Sequence, residues 1–382
     1  MPDSKRTQIC QSAVQDLLAA APKIASTQAL IGLDGFVDEI IAVVEKRHDH
    51  ASYEAVSTIG HLSRKIAAAV GQSSNYELVV KEMKLGGNGP IMANALANIG
   101  LRVTYVGNLG YPNIHPVFGD FARKAEVISI GEPGHTDALE FDDGKIMLGK
   151  LMPLHDVNWD NLLSRVGEEV LKKLVGRSKL IGMVNWTMLP HMSRIWAKLL
   201  EAVIPHLEKH ERRLFIDLAD PEKRTQGDIL DALSLVKRFQ AHVDVILGLN
   251  LKESAEIADV LGLAGKANPE IHIQETAEVI RAKLDLACVV VHPRRGAAAA
   301  TANESATFAG PFVTHPKIST GAGDHFNAGF CLARVMGLGL AQSLCVGVST
   351  SGYYVRTGDS PTLEQLTQFM HVLPDPQESA AM

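Results

Sequence analysis

The residues best suited to chemistry lie together near the C-terminus, in the run Ile318-Ser-Thr-Gly-Ala-Gly-Asp-His-Phe-Asn-Ala-Gly-Phe330. A small-residue turn that opens a helix leaves backbone N–H groups without helical acceptors. With the positive end of the helix dipole, these donors form a cradle for an anion. Asp324 lies at the mouth of the cradle, where a carboxylate can act as general base toward a hydroxyl that attacks phosphorus. The alternative is a helix N-cap, in which Asp324 only holds the first turn.

A second polar pair, Asn250 and Glu253, follows a predicted strand. The two residues are three apart at a helix start, so both side chains can face one site. Their oxygens suit Mg²⁺, which prefers oxygen ligands and usually keeps several waters. The alternative is a capping box, with Asn250 as the N-cap and Glu253 as the third helical residue.

Two further stretches have the composition of ligand-binding turns. Asp34 and Asp38 follow a first buried strand at 29–33, where open α/β sheets bind ligands, and carboxylates accept hydrogen bonds from sugar hydroxyls. A plain turn also explains an Asp-Gly pair. Residues 85–100 form a glycine-rich turn followed by a helix of small residues, and the glycines allow the backbone to approach a ligand closely.

The rest of the chain alternates helical and strand patterns, which predicts a mostly parallel sheet covered by helices on both faces. Helices fit 158–175, 191–209, 227–240, 251–263 and 272–285, and a further helix fits 52–71. Strands fit 180–185, 213–218, 243–249 and 287–292. We expect one domain over 1–382, into which segments at approximately 36–50, 76–84 and 128–156 insert a small β-sheet lid. The dipeptide Asp143-Gly144 is the hairpin signal within that lid.

Composition excludes several classes of protein. The chain has 382 residues and a net charge of −6, which argues against a nucleic-acid partner. It has no apolar run of about 18 residues and no secretory signal, so we expect no membrane association. The 4 cysteines form no Cys-x-x-Cys pair, which argues against a zinc site or a disulfide framework and favours a cytoplasmic location.

The longer pattern Thr320-Gly-Ala-Gly-Asp-x-Phe-x-Ala-Gly resembles the C-terminal signature of the ribokinase-like (PfkB-type) sugar and nucleoside kinases. The stretch at 86–100 resembles the N-terminal signature of the same family. The resemblance implies an α/β fold: a three-layer α/β/α sandwich with a small β-sheet lid. It implies a carbohydrate kinase that phosphorylates a hydroxyl of a sugar or sugar phosphate, with Asp324 as the base. The backbone amides implied to stabilise the phosphoryl oxygens are those of Gly321, Ala322 and Gly323.

The same resemblance assigns ligands to named positions. The residues implied to contact the acceptor are Asp34, Asp38, Gly86, Gly87, Asn88 and Asn94. Those on the nucleotide side are Asn250, His292, Arg294, Thr320 and Gly352. Those implied to hold Mg²⁺ are Asn250, Glu253 and Asp217.

Two departures from the family pattern bear on the phosphoryl donor, and a third bears on cation binding. ATP-using members usually place Asn at Ile91 and a Thr-x-Gly-x-x-Gly turn near 292–296. The family often has Asp at the position of Ile318, where it helps to bind a monovalent cation, so the resemblance does not imply potassium activation. The run at 86–94 is more similar to the ADP-dependent sugar kinases, whereas the run at 320–330 favours ATP, so ATP is favoured and ADP is the alternative. A nucleoside kinase, or a catalytically inactive nucleotide- or sugar-binding protein, remains an alternative function. Lid edges in this fold often pair between subunits, which implies a homodimer.

Overall fold

The computed structural model describes residues 4–208, 211–263 and 272–376. The strands are β1 (Gln28–Leu33), β2 (Phe36–Arg47), β3 (Tyr53–Ala55), β4 (Leu78–Gly86), β5 (Arg102–Gly107), β6 (Glu126–Ser129), β7 (Gly134–Phe141), β8 (Gly144–Lys150), β9 (Leu180–Val184), β10 (Arg213–Asp217), β11 (Asp244–Leu249), β12 (Cys288–Val291), β13 (Gly296–Ala300) and β14 (Ser305–Ala309). The helices are α1 (Ser4–Ala19), α2 (Ala21–Ser26), α3 (Ile59–Ala68), α4 (Asn88–Ile99), α5 (Gly119–Ala122), α6 (Trp159–Val166), α7 (Glu168–Arg177), α8 (Met192–Ala202), α9 (Gln226–Gln240), α10 (Leu251–Val260), α11 (Ile273–Leu284), α12 (Ala322–Met336), α13 (Leu340–Thr357) and α14 (Leu363–His371).

A sheet of nine strands forms the centre of the molecule, in the order β14-β13-β12-β11-β10-β9-β1-β5-β6. The strands from β12 to β6 pair in parallel, whereas β13 and β14 are antiparallel. The sequence did not predict β6 or the two antiparallel strands. The carboxyl ends of all the parallel strands therefore lie at one edge of the sheet, where the predicted polar residues follow them.

Helices cover both faces of this sheet, because successive strand side chains point to opposite sides. In β10, for example, Leu214 and Ile216 pack into one core and Phe215 packs into the other. The first core contains side chains of α6 to α11, and the second contains side chains of α1, α4, α12, α13 and α14. The predicted three-layer sandwich is confirmed.

A smaller sheet lies apart from the large one and has β2 at its centre. β2 pairs with β7 in parallel and with β3 and β4 in antiparallel, and β8 pairs with β7 across the hairpin predicted at Asp143-Gly144. The predicted lid segment 128–156 begins too early, since Ile128 and Ser129 pair with β5 in the large sheet.

Three predicted helices have clearly different bounds in the structure. The helix predicted at 191–209 ends at Ala202, and a short 3-10 turn follows at Ile204–His206. The helix predicted at 52–71 is wrong at its start, where β3 occurs. Thr58 is the N-cap of α3 and accepts the N–H of His61 at 3.1 Å, so the helix begins only at Ile59. Gly167, with a φ of 84°, divides the helix predicted at 158–175 into α6 and α7.

The described residues contain no helix with the length and apolar character needed to cross a membrane. Residue 209, at the end of a predicted helix, lies outside the described ranges, as do the extreme ends of the expected 1–382 domain.

Candidate active site

A cleft of about 670 Å³ lies at the carboxyl edge of the large sheet. Several of the residues that border it follow parallel strands directly or belong to the first turn of α12. The sequence-predicted residues on its surface are Asn88, Asp217, Asn250, Glu253, His292, Arg294, Thr320, Gly321, Ala322, Gly323, Asp324 and Gly352. The fold thus brings together residues more than 230 positions apart, such as Asn88 and Asp324.

The turn that precedes α12 exposes backbone donors, as the sequence predicts. Gly321 is the helix N-cap and has a φ of 86°, a left-handed conformation that glycine adopts without strain. Among the described residues, no protein acceptor takes the N–H of Gly321 or Gly323. The N–H of Ala322, however, donates to the carbonyl of Ser319 at 3.2 Å, so this member of the predicted amide set is already occupied.

Asp324 is only 7% exposed, and its Oδ1 accepts the side-chain amide of Asn88 at 3.0 Å. Burial raises the pKa of the Asp324 carboxyl well above its usual range, and the nearby carboxylates of Asp217, Asp34 and Glu253 raise it further. A buried carboxyl at a helix start, whose side chain does not cap its own helix, is a candidate for a functional role.

Asn250 and Glu253 form the capping box that the sequence left as an alternative. Asn250 Oδ1 accepts the N–H of Glu253 at 2.9 Å, and Glu253 Oε2 accepts the N–H of Asn250 at 2.8 Å. The other oxygen, Glu253 Oε1, accepts the N–H of Asp220 at 2.9 Å. Both residues nevertheless border the cleft, so the capping box does not remove them from the site.

Asp217 is held from two sides. Its Oδ1 accepts the N–H of Ala219 at 2.8 Å, and its Oδ2 accepts the side-chain amide of Asn327 at 2.9 Å. Burial and the neighbouring Glu253 charge raise the pKa of Asp217 to about 8. Each buried carboxyl in such a cluster destabilises the ionised form of the others. A bound cation would offset this repulsion, so the cluster is suited to bind one.

The acidic groups at the cleft suit a metal held through water. Among the described residues, Asp217, Glu253 and Asp324 do not form a set whose ligand atoms all lie within 4.8 Å of one another. Two other sets do, but lysines already contact their carboxylates. These sets are Glu39, His135 and Asp137 with Lys150, and Asp220, Glu222 and Glu256 with Lys252.

Asp34 lies behind the turn at residues 86–88, which opens α4, and does not border the cleft. It is fully buried, and its carboxylate accepts the N–H groups of Asn88 at 3.0 Å and Gly89 at 2.9 Å. The side-chain amide of Asn185 donates to the same carboxylate at 2.7 Å. Burial raises the pKa of Asp34 to about 6. Its contacts fix the start of α4.

Asp38 approaches the turn from the small sheet. Its carboxylate packs against Gly86 so closely that a Cβ at position 86 would collide with it. Burial raises the pKa of Asp38, which its hydrogen bond with Thr136 partly offsets. Gly87, with a φ of 93°, continues the turn to Asn88 at the cleft surface.

Asn94 lies one and a half turns into α4 and does not border the cleft. Its side-chain amide donates to Ser360 Oγ at 3.2 Å, and Ser360 Oγ in turn contacts Nε2 of the buried His325 at 2.8 Å. The residue implied to contact the acceptor therefore belongs to a network behind the α12 turn. Its helix position, six residues beyond Asn88, turns its side chain about 120° away from the one residue of α4 that borders the cleft.

The residues expected to contact the nucleotide also border the cleft. His292 stacks on Phe326, with ring centroids 4.7 Å apart, and its Nε2 is buried without a protein partner. Burial lowers the pKa of His292 to about 4, so its imidazole is neutral. Arg294 is exposed at the rim, and Gly352 lies so close to Pro311 that a Cβ there would be 2.5 Å from Pro311 Cγ.

The sequence did not single out four of the residues that hold the site. Asn327 is three positions after Asp324, a helical spacing that places it on the same face of α12, where it contacts Asp217. Asn185 directly follows β9, so the strand-end pattern that identified Asp34 also applied to it. Tyr105 and Tyr354, which donate to the carbonyls of Asp34 and Thr320, lie in no local pattern that marks them.

Comparison with known proteins identifies the family of the chain. The model of the prokaryotic ketohexokinase family matches residues 2–372. A ketohexokinase of Haloferax volcanii is 30% identical over 349 residues, which cover 91% of this chain and 92% of the relative.

Solved structures of the ribokinase family share the fold. A nucleoside kinase of Methanocaldococcus jannaschii superposes with a TM-score of 0.58 at 14% identity, over 90% of this chain and 98% of its own. An Arabidopsis thaliana ribokinase, solved with ribose and ATP, gives a TM-score of 0.59 at 14% identity, over 93% and 98% of the two chains. The chain belongs to the prokaryotic ketohexokinase family and is a sugar kinase of the ribokinase fold, a phosphotransferase whose acceptor is an alcohol group.

Proposed function

We propose that the chain transfers the terminal phosphoryl group of ATP to a hydroxyl of a ketohexose, with Asp324 as the general base. The acceptor class is the one named for the Haloferax volcanii relative, which aligns over most of both chains. ATP follows from the motif at 320–330, and ADP remains the alternative because of the run at 86–94.

One observation carries this proposal: Asn88 Nδ2 donates to Asp324 Oδ1 at 3.0 Å. That contact joins the turn at residues 86–88, where we expect the acceptor, to the carboxyl at the start of α12, and both Asn88 and Asp324 border one cleft. The unpaired N–H groups of Gly321 and Gly323 lie on the same α12 turn. A hydroxyl beside Asn88 and a phosphoryl group on the turn would therefore meet at Asp324.

Asp324 takes the proton of the acceptor hydroxyl as its oxygen forms a bond with phosphorus. The bond between phosphorus and the bridging oxygen of the nucleotide breaks, and that oxygen leaves with the electron pair. The N–H groups of Gly321 and Gly323 donate to the phosphoryl oxygens, on which charge is distributed. A raised pKa makes Asp324 a better proton acceptor once it is ionised.

The donor set also suits Mg²⁺. Asp217, Asn250 and Glu253 would hold it through water molecules, because their oxygens already accept protein hydrogen bonds. When bound, Mg²⁺ supplies charge neutralisation for the phosphate groups. The clustered carboxyls, whose pKa values are raised, gain the counter-charge that they lack in the free protein.

On the nucleotide side, His292 and Arg294 serve different purposes. The neutral imidazole of His292 has a buried, unpartnered nitrogen at the cleft, which the nucleotide would satisfy. Arg294 lies exposed at the rim and can pair with phosphate oxygens. Thr320 and Gly352 also border the cleft, where the missing side chain of Gly352 leaves room for Pro311, another residue of the cleft surface.

On the acceptor side, Asp38 accepts a hydroxyl of the sugar, and Asn88 donates to another oxygen. Gly86 and Gly87 give these groups room, since a side chain at either position would crowd Asp38 or Asp34. Asp34 contributes by fixing the turn. The small sheet closes over the sugar and excludes water from the transfer.

The small sheet also supports a homodimer. Its strands β4 and β8 expose large apolar side chains in the single chain. These are Leu78 at 44%, Val80 at 45%, Met83 at 46%, Met147 at 48% and Leu148 at 49% exposure. Burying such a surface against a second copy would remove it from water. Sedimentation of the wild type at micromolar concentration tests this: a dimer is expected, and a monomer would contradict the pairing.

The function is tested by assaying the wild-type protein with Mg²⁺ and either ATP or ADP. Each donor is combined separately with fructose, tagatose, fructose phosphates, glucose, ribose and adenosine, and phosphorylated products are identified by mass. We expect a ketohexose with ATP to give a kcat/KM at least about tenfold above every other pair.

A preference for adenosine would replace the proposal with a nucleoside kinase, and product with ADP alone would reverse the donor. If no acceptor is phosphorylated while nucleotide still binds, the protein would be a binding protein rather than a working kinase.

A further inference from the structure

We propose that His325 and Tyr354 are positioning residues that set the direction of the peptide groups in the α12 turn. The inference rests on the proposed function, because it concerns the amides assigned to the phosphoryl group. Neither side chain borders the cleft, and both are buried, with 2% and 8% exposure respectively. They lie behind the turn and do not reach the cleft surface.

Tyr354 controls the peptide between Thr320 and Gly321. Its Oη donates to the carbonyl oxygen of Thr320 at 3.0 Å. In a planar trans peptide the C=O and the following N–H point in opposite directions. Holding the Thr320 carbonyl against Tyr354 therefore directs the N–H of Gly321 to the other side, where Gly321 borders the cleft.

His325 controls the next peptide. Its Nδ1 lies 2.8 Å from the carbonyl oxygen of Gly321, which also accepts the backbone N–H of His325 at 3.1 Å. Two donors on one carbonyl fix the plane of the peptide between Gly321 and Ala322. The N–H of this peptide is taken by the Ser319 carbonyl, so His325 acts by holding the turn between the two free donors, the N–H groups of Gly321 and Gly323. The two successive peptide planes are thus held by two side chains from different helices, α12 and α13.

The hydrogen-bond partners define the His325 tautomer. A carbonyl oxygen only accepts, so Nδ1 carries the proton. Burial lowers the pKa of His325 to about 4, which leaves the ring neutral and makes Nε2 an acceptor. Ser360 Oγ then donates to Nε2 and itself accepts from Asn94 Nδ2. The result is a directed chain from Asn94 through Ser360 and His325 to the Gly321 carbonyl.

The two rings are packed against each other. The imidazole of His325 stacks on the phenol of Tyr354, with centroids 3.6 Å apart and planes 11° from parallel. The chain that ends at Asn94 reaches α4, the helix whose first residue is Asn88. The stacked pair therefore connects α4 to the turn that precedes α12. Through this connection, a residue outside the cleft can affect kcat.

The first test compares Tyr354→Phe with its neighbour Tyr353→Phe. Tyr354→Phe keeps the stacked ring and removes only the hydrogen bond to Thr320. Tyr353 makes an edge contact with Phe369 instead and serves as the matched control. We expect kcat to fall about tenfold in Tyr354→Phe, with both KM values within about twofold of wild type, and no change in Tyr353→Phe. Equal kcat in the two variants, or a loss confined to KM, would overturn the role of Tyr354.

The second test compares His325→Asn with His325→Phe. The shorter amide of Asn can still donate near the Nδ1 position, whereas Phe keeps an aromatic ring for stacking and donates nothing. We expect His325→Asn to retain at least about fivefold more kcat than His325→Phe. The reverse order would mean that His325 acts through packing alone, which would contradict the proposal.

Asp324→Asn separates this inference from the proposed function. If Asp324→Asn retains full activity, the assignment of the base has failed. If Asp324→Asn is inactive while Tyr354→Phe and His325→Phe keep wild-type kcat, only the positioning role has failed.

Discussion

Two helices begin at the cleft with the same arrangement in sequence, yet their first turns differ in what they do. In both α10 and α12 the third helical residue is acidic, and both of these side chains are buried, Glu253 at 4% and Asp324 at 7% exposure. Burial alone therefore does not distinguish them.

The hydrogen-bond partners do distinguish them. Glu253 accepts the N–H groups of Asn250 and Asp220, so its charge stabilises the local backbone. Among the described residues, Asp324 accepts the side-chain amide of Asn88 on another helix and no N–H of its own first turn, and the N–H of Gly323 in that turn has no acceptor. A carboxylate that satisfies its own helix is a cap, whereas one that leaves its helix unsatisfied is available for chemistry.

The largest expected effect is the loss of catalysis in Asp324→Asn. The amide keeps an oxygen for Asn88 but cannot take a proton, so kcat should fall by about 10²–10⁴-fold while nucleotide affinity stays within about twofold. Asp228→Asn is the matched control, because Asp228 is also the third residue of its helix, α9, and is exposed. Steady-state kinetics and nucleotide titration measure both quantities, and a kcat equal in the two variants would contradict the assignment of the base.

A smaller effect is expected from adding a methyl group to the α12 turn. In Gly321→Ala the new Cβ would lie 3.2 Å from the Ile91 side chain and 3.3 Å from Tyr354 Oη, which displaces the turn. Gly337→Ala, at the other end of the same helix, has a similar φ of 91° with no atom within 4 Å. Both should lose about 1 kcal/mol of stability. Only Gly321→Ala should lower kcat, by about tenfold or more, and equal kcat values would refute a role for the turn.

The smallest effect is a pH dependence of stabilisation by Mg²⁺. The pKa of Asp217 is raised to about 8, so its protonated form contributes stability that is complete below 3.8 and is lost as pH rises to about 8. A bound cation requires the ionised form. We therefore expect Mg²⁺ to raise Tm more at pH 8.5 than at pH 6.5, with EDTA as the control. An equal or larger shift at pH 6.5 would place Mg²⁺ away from Asp217.

Local patterns explain how much of this was predictable from sequence. The alternation of helical and strand patterns predicted the parallel sheet, and the glycine-rich turns predicted the starts of α4 and α12. β13 was missed because its sequence, Gly296-Ala-Ala-Ala-Ala300, lacks the β-branched and aromatic residues that mark strands. The spacing of Asn250 and Glu253 predicted that both side chains face one site, but it could not distinguish a capping box from a metal site. In the structure the two residues form a capping box and also border the cleft.

The limits were set by contacts distant in sequence. The carboxylate of Asp34 accepts a hydrogen bond from Asn185, which lies 151 positions away in the sequence. This contact helps to hold Asp34 against the start of α4, whereas the sequence predicted that Asp34 contacts the sugar. Asn94, Ser360 and Tyr354 meet only once α4, α12 and α13 are packed, so no local spacing identifies them.

The most direct test of the central claim is the free energy of unfolding of Asp324→Asn and Glu253→Gln, measured in urea without ligands. Glu253→Gln loses an acceptor for one of two buried N–H groups, so it should be about 1–3 kcal/mol less stable than wild type. Asp324→Asn relieves a carboxyl that burial and Asp217 oppose, so it should be at least as stable as wild type while it loses activity. If Asp324→Asn is destabilised as much as Glu253→Gln, then Asp324 is a structural cap and the proposed chemistry at α12 is wrong.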